Sequence, residues 1–221
     1  MDLRQWLYFY GEIIKDFGFS LERDLESAVL LNTFLTKPDL KRLKGIIKER
    51  DVNIYGAGPS LEKLDSIPKG INIAADGVCS FLLKKGVVPD IIVTDLDGDV
   101  KDLLESDRRG SVIILHAHGD NMERVRLHAK EFRNLYGTTQ AKPFGYLLNY
   151  GGFTDGDRAG FIAEHFKPKK ITFYGMDFQS PPGRYSYTKP RDMGRKMKKL
   201  KWAERLVQVL IESSPVEIVL A

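Results

Sequence analysis

The chain contains one cysteine, Cys79, so no internal disulfide can staple it. A reducing, cytoplasmic setting is the simplest expectation. Cys79 lies in an apolar run with Val78, Phe81, Leu82 and Leu83, which favours a buried, inert thiol over a nucleophile. No apolar run approaches the roughly 18 residues that suggest a membrane span. The opening residues, Met1 to Trp6, carry no apolar segment of the secretory type, so no targeting signal is expected. Only four histidines are present, a poor supply for a zinc centre. No Gly-Lys-Ser/Thr phosphate loop, internal repeat or low-complexity tract occurs.

What is present describes a globular chain. Of 221 residues, 43% are hydrophobic and 29% charged, enough for one α/β domain plus a short extra element. The net charge of +4 raises the question of a nucleic-acid partner. The excess is local, however. Arg184, Lys189, Arg191, Arg195, Lys196, Lys198, Lys199 and Lys201 face a single acid, Asp192, over that stretch. A basic segment opposite an acidic site suits a polyphosphate with its metal, so the expected partners are small molecules, not nucleic acid or membrane. A homodimer stays open.

Residues 1–50 read as a small helical region, with Leu7, Tyr10, Ile13, Ile14 and Phe17 near a 3.6-residue period. Pro38 is expected to open a further helix as its first residue. Residues 51–221 read as an α/β catalytic domain. Strands are predicted at Val52–Tyr55, Ile71–Ala75, Ile91–Thr94, Val112–His116, Ile171–Tyr174 and Val216–Leu220. Helices are predicted near 60–65, 77–85, 100–107, 121–133, 156–166 and 192–212. This alternation predicts a doubly wound, mostly parallel, Rossmann-like sheet, with ligands beyond the carboxyl ends of its strands. Residues 179–191 form a long irregular loop that could serve as a lid.

Nearly every predicted strand runs into an aspartate. The first ends in Gly56-Ala57-Gly58-Pro59-Ser60-Leu61, where glycines allow close backbone approach and Ser60 can cap the next helix. Asp76-Gly77 follows the second and Thr94-Asp95-Leu96-Asp97-Gly98-Asp99 the third. Later come His116-Ala117-His118-Gly119-Asp120, Thr154-Asp155-Gly156-Asp157-Arg158 and Gly175-Met176-Asp177-Phe178. Any single Asp-Gly is ordinary turn chemistry, and aspartate is a good helix cap. Caps and turns do not require carboxylates at alternate positions or from four strands. Converging carboxylates repel one another and need a cation, and a hard one such as Mg²⁺ takes oxygen ligands and phosphates together. His116 and His118 could alternatively centre a transition-metal site. A further alternative is for one to enter the core and the other to bond near a phosphate.

In this order, the motifs resemble the archaeal-type 6-hydroxymethyl-7,8-dihydropterin pyrophosphokinases, the MptE-like family, over roughly residues 50–210. They are more distantly similar to thiamine pyrophosphokinases. Thr94 and Gly98 replace that family's glycine and serine, which leaves the carboxylate pair intact but not the thiamine acceptor. The resemblance implies transfer of pyrophosphate from ATP to a pterin hydroxymethyl oxygen, with release of AMP, in methanopterin- or folate-type cofactor synthesis. Asp95 and Asp97 are then expected as principal Mg²⁺ ligands, with Asp120 and Asp155 as further ligands and Asp120 as candidate base. Gly56, Gly58, Pro59, Ser60, Asp76 and Thr154 would line the nucleotide. Arg158 and a lysine from 196–201 would balance phosphate charge. Phe178 would stack on a flat ring or pack in the core. Two other readings follow from the same residues: a glycosyl-transfer domain of the bacterial motility-accessory type, and a non-catalytic nucleotide- or RNA-binding module.

Overall fold

The computed structural model describes residues 1–221. Seven strands, all parallel, form one sheet in the order β5-β4-β3-β2-β1-β6-β7. They are β1 (Asp51–Tyr55), β2 (Ile71–Ala75), β3 (Ile91–Thr94), β4 (Val112–Ala117), β5 (Leu135–Thr139), β6 (Lys170–Tyr174) and β7 (Glu217–Leu220). Helices α1 (Leu3–Phe17), α2 (Leu21–Asn32) and α3 (Leu40–Ile47) precede the sheet. Within it lie α4 (Val78–Lys84), α5 (Val100–Arg108), α6 (Met122–His128), α7 (Asp155–His165) and α8 (Met193–Ser213). No helix is long and apolar enough to cross a membrane.

Both sheet faces are covered, which explains why the inner strands read as unbroken apolar runs. Side chains alternate between two cores with a period of two. Val52, Ile54, Ile73, Ile91, Val93 and Ile114 enter one cluster with residues of α1, α3, α7 and α8. Tyr55, Ala74, Ile92, Ile113 and Leu115 enter the other with residues of α2, α4, α5 and α6. Each fully buried Ile or Val contributes roughly 1.5–3 kcal/mol. The outer strand β7 is only half-buried.

Successive strands step outward from β1 to β5. The chain then returns through α7 to place β6 on the other side of β1. The loops after β1 and β6 meet at that switch point, where Gly58 N donates to Gly175 O at 2.7 Å, and both border the ligand cleft.

Several local expectations are corrected. The helix expected near 60–65 is a short 3₁₀ helix, Pro59–Lys63. Pro38 lies outside α3, which begins at Leu40 and is capped by the Asp39 side chain on Arg42 N. The helix expected over 121–133 ends at His128 and passes through a 3₁₀ turn into β5. The segment 179–191 holds 3₁₀ turns at Arg184–Ser186 and Pro190–Asp192. Tyr185 anchors it edge-on against Phe81 at 5.5 Å, and Gly183 N donates to Ala57 O at 2.7 Å.

Candidate active site

A cleft of about 880 Å³ runs along the carboxyl ends of the strands, a volume in the range of small-molecule sites. At its centre the carboxylates of Asp76, Asp95 and Asp155 meet, with one oxygen from each lying within 4.8 Å of the others. They arrive from β2, β3 and the first turn of α7. The Asp-Gly motifs hold the β2 and β3 loops close together. A Cβ on Gly98 would sit 2.8 Å from the Gly77 backbone. Asp76 takes a left-handed conformation, φ 47°, which aspartate tolerates better than most residues. Thr94 Oγ1 donates to its Oδ1 at 2.5 Å. The turn that follows is strained, because Leu96 is held at φ 66°, an uncommon state for a bulky residue.

Charge in this cluster is divided unequally. Burial alone would raise the Asp95 carboxyl, but His118 and the charges of Lys199 and Lys196 outweigh it and hold Asp95 well below the ordinary range. His118 Nε2 lies 3.3 Å from Asp95 Oδ2. Burial pushes Asp76 up to about 7, assisted by the charge of Asp95. Burial, then Asp95 and Asp76, drive Asp155 well above the usual carboxylate value. Three such carboxylates ionise together only beside a cation. The donor set is all oxygen and contains no histidine, so the residues fit a hard divalent ion such as Mg²⁺.

The other aspartates have different partners. Asp97 pairs with Arg124 at 2.5 Å, and Asp120 with Arg195 at 2.9 Å. Both lie half-exposed in the cleft lining, whereas Asp76, expected beside the nucleotide, joins Asp95 and Asp155 in the central group. Asp99 caps α5 through Lys101 N. Asp157 accepts from Phe153 N, Thr154 N and the Thr154 hydroxyl, so Thr154 serves the start of α7. Asp177 Oδ2 accepts from both Ser60 N and Ser60 Oγ at 2.7 Å. Ser60 is therefore held by Asp177 and does not cap its helix.

The glycine turn after β1 is closed. Gly56 N donates to Tyr174 O and Gly58 N to Gly175 O. A Cβ on Gly58 would meet Gly175 O at 2.6 Å. Gly56, Ala57 and Gly58 line the cleft; Pro59 and Ser60 do not. The glycines are needed for contact between the β1 and β6 loops, and the Gly56, Gly58 and Ser60 amides are not free for a phosphate.

Cations face the carboxylates from α8. Arg195, Lys196 and Lys199 line the cleft, while Ala203, Leu206, Val207 and Leu210 bury the far part of the same helix. Burial lowers the Lys199 ammonium, partly offset by Asp95. Lys198 turns away to Asp16 at 2.8 Å. Arg158 is 2% exposed and lies outside the cleft lining. Its guanidinium donates to Phe153 O at 3.3 Å. It therefore supplies positive charge behind Asp155 without reaching into the cleft. Phe178 joins the core, as one of its two expected roles required, and part of it lines the cleft. Cys79 is buried, and burial pushes its thiol up to about 12.

Sequence reasoning missed two contributions. Phe17, Phe19, Arg23 and Asp24 line the cleft from the helical N-terminal region. Asp24 Oδ1 accepts from Gly119 N at 2.7 Å, and its Oδ2 accepts from Tyr10 OH at 2.6 Å. The second is a polar web around β4. Asn121 Nδ2 donates to Asp95 O at 3.0 Å and to His116 O at 2.7 Å. His116 is buried, and burial, then Arg158 and His118, hold it well below the ordinary imidazole range. Asp24 and Asn121 gave no signal beyond polarity, whereas one of His116 and His118 was expected in the core, and it is His116.

The family model described as 6-hydroxymethylpterin diphosphokinase MptE-like matches residues 28–182. The chain is similar to three curated proteins named 6-hydroxymethyl-7,8-dihydropterin pyrophosphokinase. That of Methanocaldococcus jannaschii is 41% identical over 98% of this chain and 99% of its own. That of Pyrococcus furiosus is 42% identical over 99% and 98%. That of Methanothermobacter thermautotrophicus is 40% identical over 99% and 99%. Among solved structures, the Maf glycosyltransferase of Magnetospirillum magneticum aligns with 70% of this chain and 27% of that one. Its TM-score is 0.42 at 17% identity, which carries no argument about activity. A family match across most of the chain and full-length relatives near 40% identity agree with the motif order, and the chain belongs to the MptE-like 6-hydroxymethylpterin diphosphokinase family.

Proposed function

We propose that this chain transfers a diphosphoryl group from ATP to the hydroxymethyl oxygen of 6-hydroxymethyl-7,8-dihydropterin, releasing AMP. The observation that carries the reading is the meeting of Asp76, Asp95 and Asp155 opposite Lys196 and Lys199 across one cleft. The pterin oxygen attacks the β-phosphorus. The bond from that phosphorus to the α,β-bridging oxygen breaks, and the hydroxyl proton is released to solvent or a carboxylate. Such transfer depends mainly on alignment and charge stabilisation.

Asp76, Asp95 and Asp155 would hold Mg²⁺, which neutralises phosphate charge when bound. Thr94 orients Asp76, and His118 with Asn121 orients Asp95. Lys196 and Lys199 bind phosphate oxygens. Asp97 and Asp120 hold Arg124 and Arg195 at the rim. Gly56, Ala57 and Gly58 border the nucleotide at the switch point. The reaction belongs in the cytoplasm, where ATP is available, and its product feeds reduced-pterin cofactor synthesis.

Incubating the purified protein with ATP, Mg²⁺ and the dihydropterin tests this directly. AMP and pterin diphosphate should appear in equal amounts. Release of ADP, or no nucleotide turnover, would sink the reading.

A further inference from the structure

Resting on that reading, we propose that the β4–β5 end of the cleft is the pterin slot, with His116 and Gln140 reading the amino–lactam edge of the ring.

Both residues line the cleft, and they are 3% and 4% exposed. His116 Nε2 and Gln140 Oε1 nevertheless have no hydrogen-bond partner within the protein. Buried polar atoms are nearly always paired, so two in one cleft wall point to a ligand. Neither is loosely placed. Gln140 O accepts from Trp6 Nε1 at 2.7 Å and Asn149 Nδ2 at 3.1 Å. His116 Nδ1 lies 3.1 Å from Thr138 Oγ1, its register partner across the strands. The Thr138 hydroxyl also lies within donating distance of Leu115 O, at 3.3 Å. With that proton on Leu115 O, Thr138 accepts from His116 Nδ1–H, which leaves Nε2 as a buried acceptor in a residue that lines the cleft.

Two acceptors require a ligand edge with two donors. The 2-amino group and N3–H of a pterin are such an edge, and the adjoining 4-oxo group matches the Gln140 amide N–H. Adenine offers only one donor, its 6-amino group, beside an acceptor. Three aromatic residues, Phe17, Phe19 and Phe153, line the same cleft. Phe17 stacks on Phe19 at 5.0 Å, and Phe153 lies 5.4 Å from Phe17. Strand order then orders the substrates. The ring lies over β4 and β5, the triphosphate over the carboxylates that follow β2 and β3, and the nucleoside toward β1 and β6.

The test measures binding of fluorescent 6-hydroxymethylpterin and of a fluorescent ATP analogue to the full chain. Gln140→Leu should weaken pterin binding about 30-fold, with nucleotide binding within about 2-fold. Its Tm should hold or rise, because an unpaired buried amide is removed. Wild-type protein should discriminate against the 2-deamino analogue, and His116→Phe, or His116→Asn if that misfolds, should abolish the discrimination. Weakened nucleotide binding with pterin binding intact would assign the slot to adenine and overturn the proposal. So would a lowered Tm with both affinities retained, which would make the amide structural. Pterin binding by the wild type without turnover would fail the proposed reaction while leaving the slot standing.

Discussion

The loops after β2 and β3 and the loops after β1 and β6 carry similar sequence signals, aspartate and glycine at strand ends, yet they fold into opposite things. At the switch point the polar groups named above have partners. The Gly56, Gly58 and Ser60 amides and the Asp177 carboxylate bond to one another's loops. At the centre, three carboxylates are pressed together, and burial holds Asp76 and Asp155 toward their protonated forms. A functional group is recognisable by what its neighbours leave unsatisfied more than by its residue type.

The largest expected effect falls on the centre. Asp95→Asn should reduce AMP formation by about 10³-fold or more with an unchanged circular dichroism spectrum. Near wild-type turnover would remove Asp95 from the site. Gly58→Ala tests the opposite region. Its new Cβ would meet the Gly175 and Asp177 atoms, costing about 1–3 kcal/mol in urea unfolding, and its activity loss should stay far below that of Asp95→Asn.

Acid should distinguish the regions next. Asp76 has a folded-state pKa of about 7, above the unfolded value near 3.9. The metal-free fold therefore binds this proton more tightly than the unfolded chain does. Its contribution is fully present below about pH 4 and is lost as pH rises toward 7. Mg²⁺ should reverse the trend, raising Tm more at pH 8 than at pH 5.5. An equal shift at both pH values would detach the cation from Asp76. The smallest effect belongs to the rim. Asp97→Asn should slow turnover by about 10-fold at most, since its partner Arg124 is itself 39% exposed. A loss matching that of Asp95→Asn would return Asp97 to the metal.

The sheet was largely legible because parallel strands buried on both faces must be apolar throughout. β5 escaped because Leu135-Tyr136-Gly137-Thr138-Thr139 has neither an apolar run nor clean alternation. The aspartates were legible as a set. Which of them converge depends on where Arg124 and Arg195 sit, and these come from α6 and α8, far along the chain. Phe17 and Asp24 were invisible for the same reason. Their spacing is that of any helical end, and only tertiary packing brings them to the cleft.

The bond from Gly119 N to Asp24, itself held by Tyr10, bears on how such genes can be shuffled. A chimera grafting the first fifty residues of one relative onto the sheet of another would inherit every central carboxylate. It would keep the β4 loop in place only where tyrosine, aspartate and the loop amide still correspond. These helices and the catalytic loops are therefore expected to travel as one heritable unit.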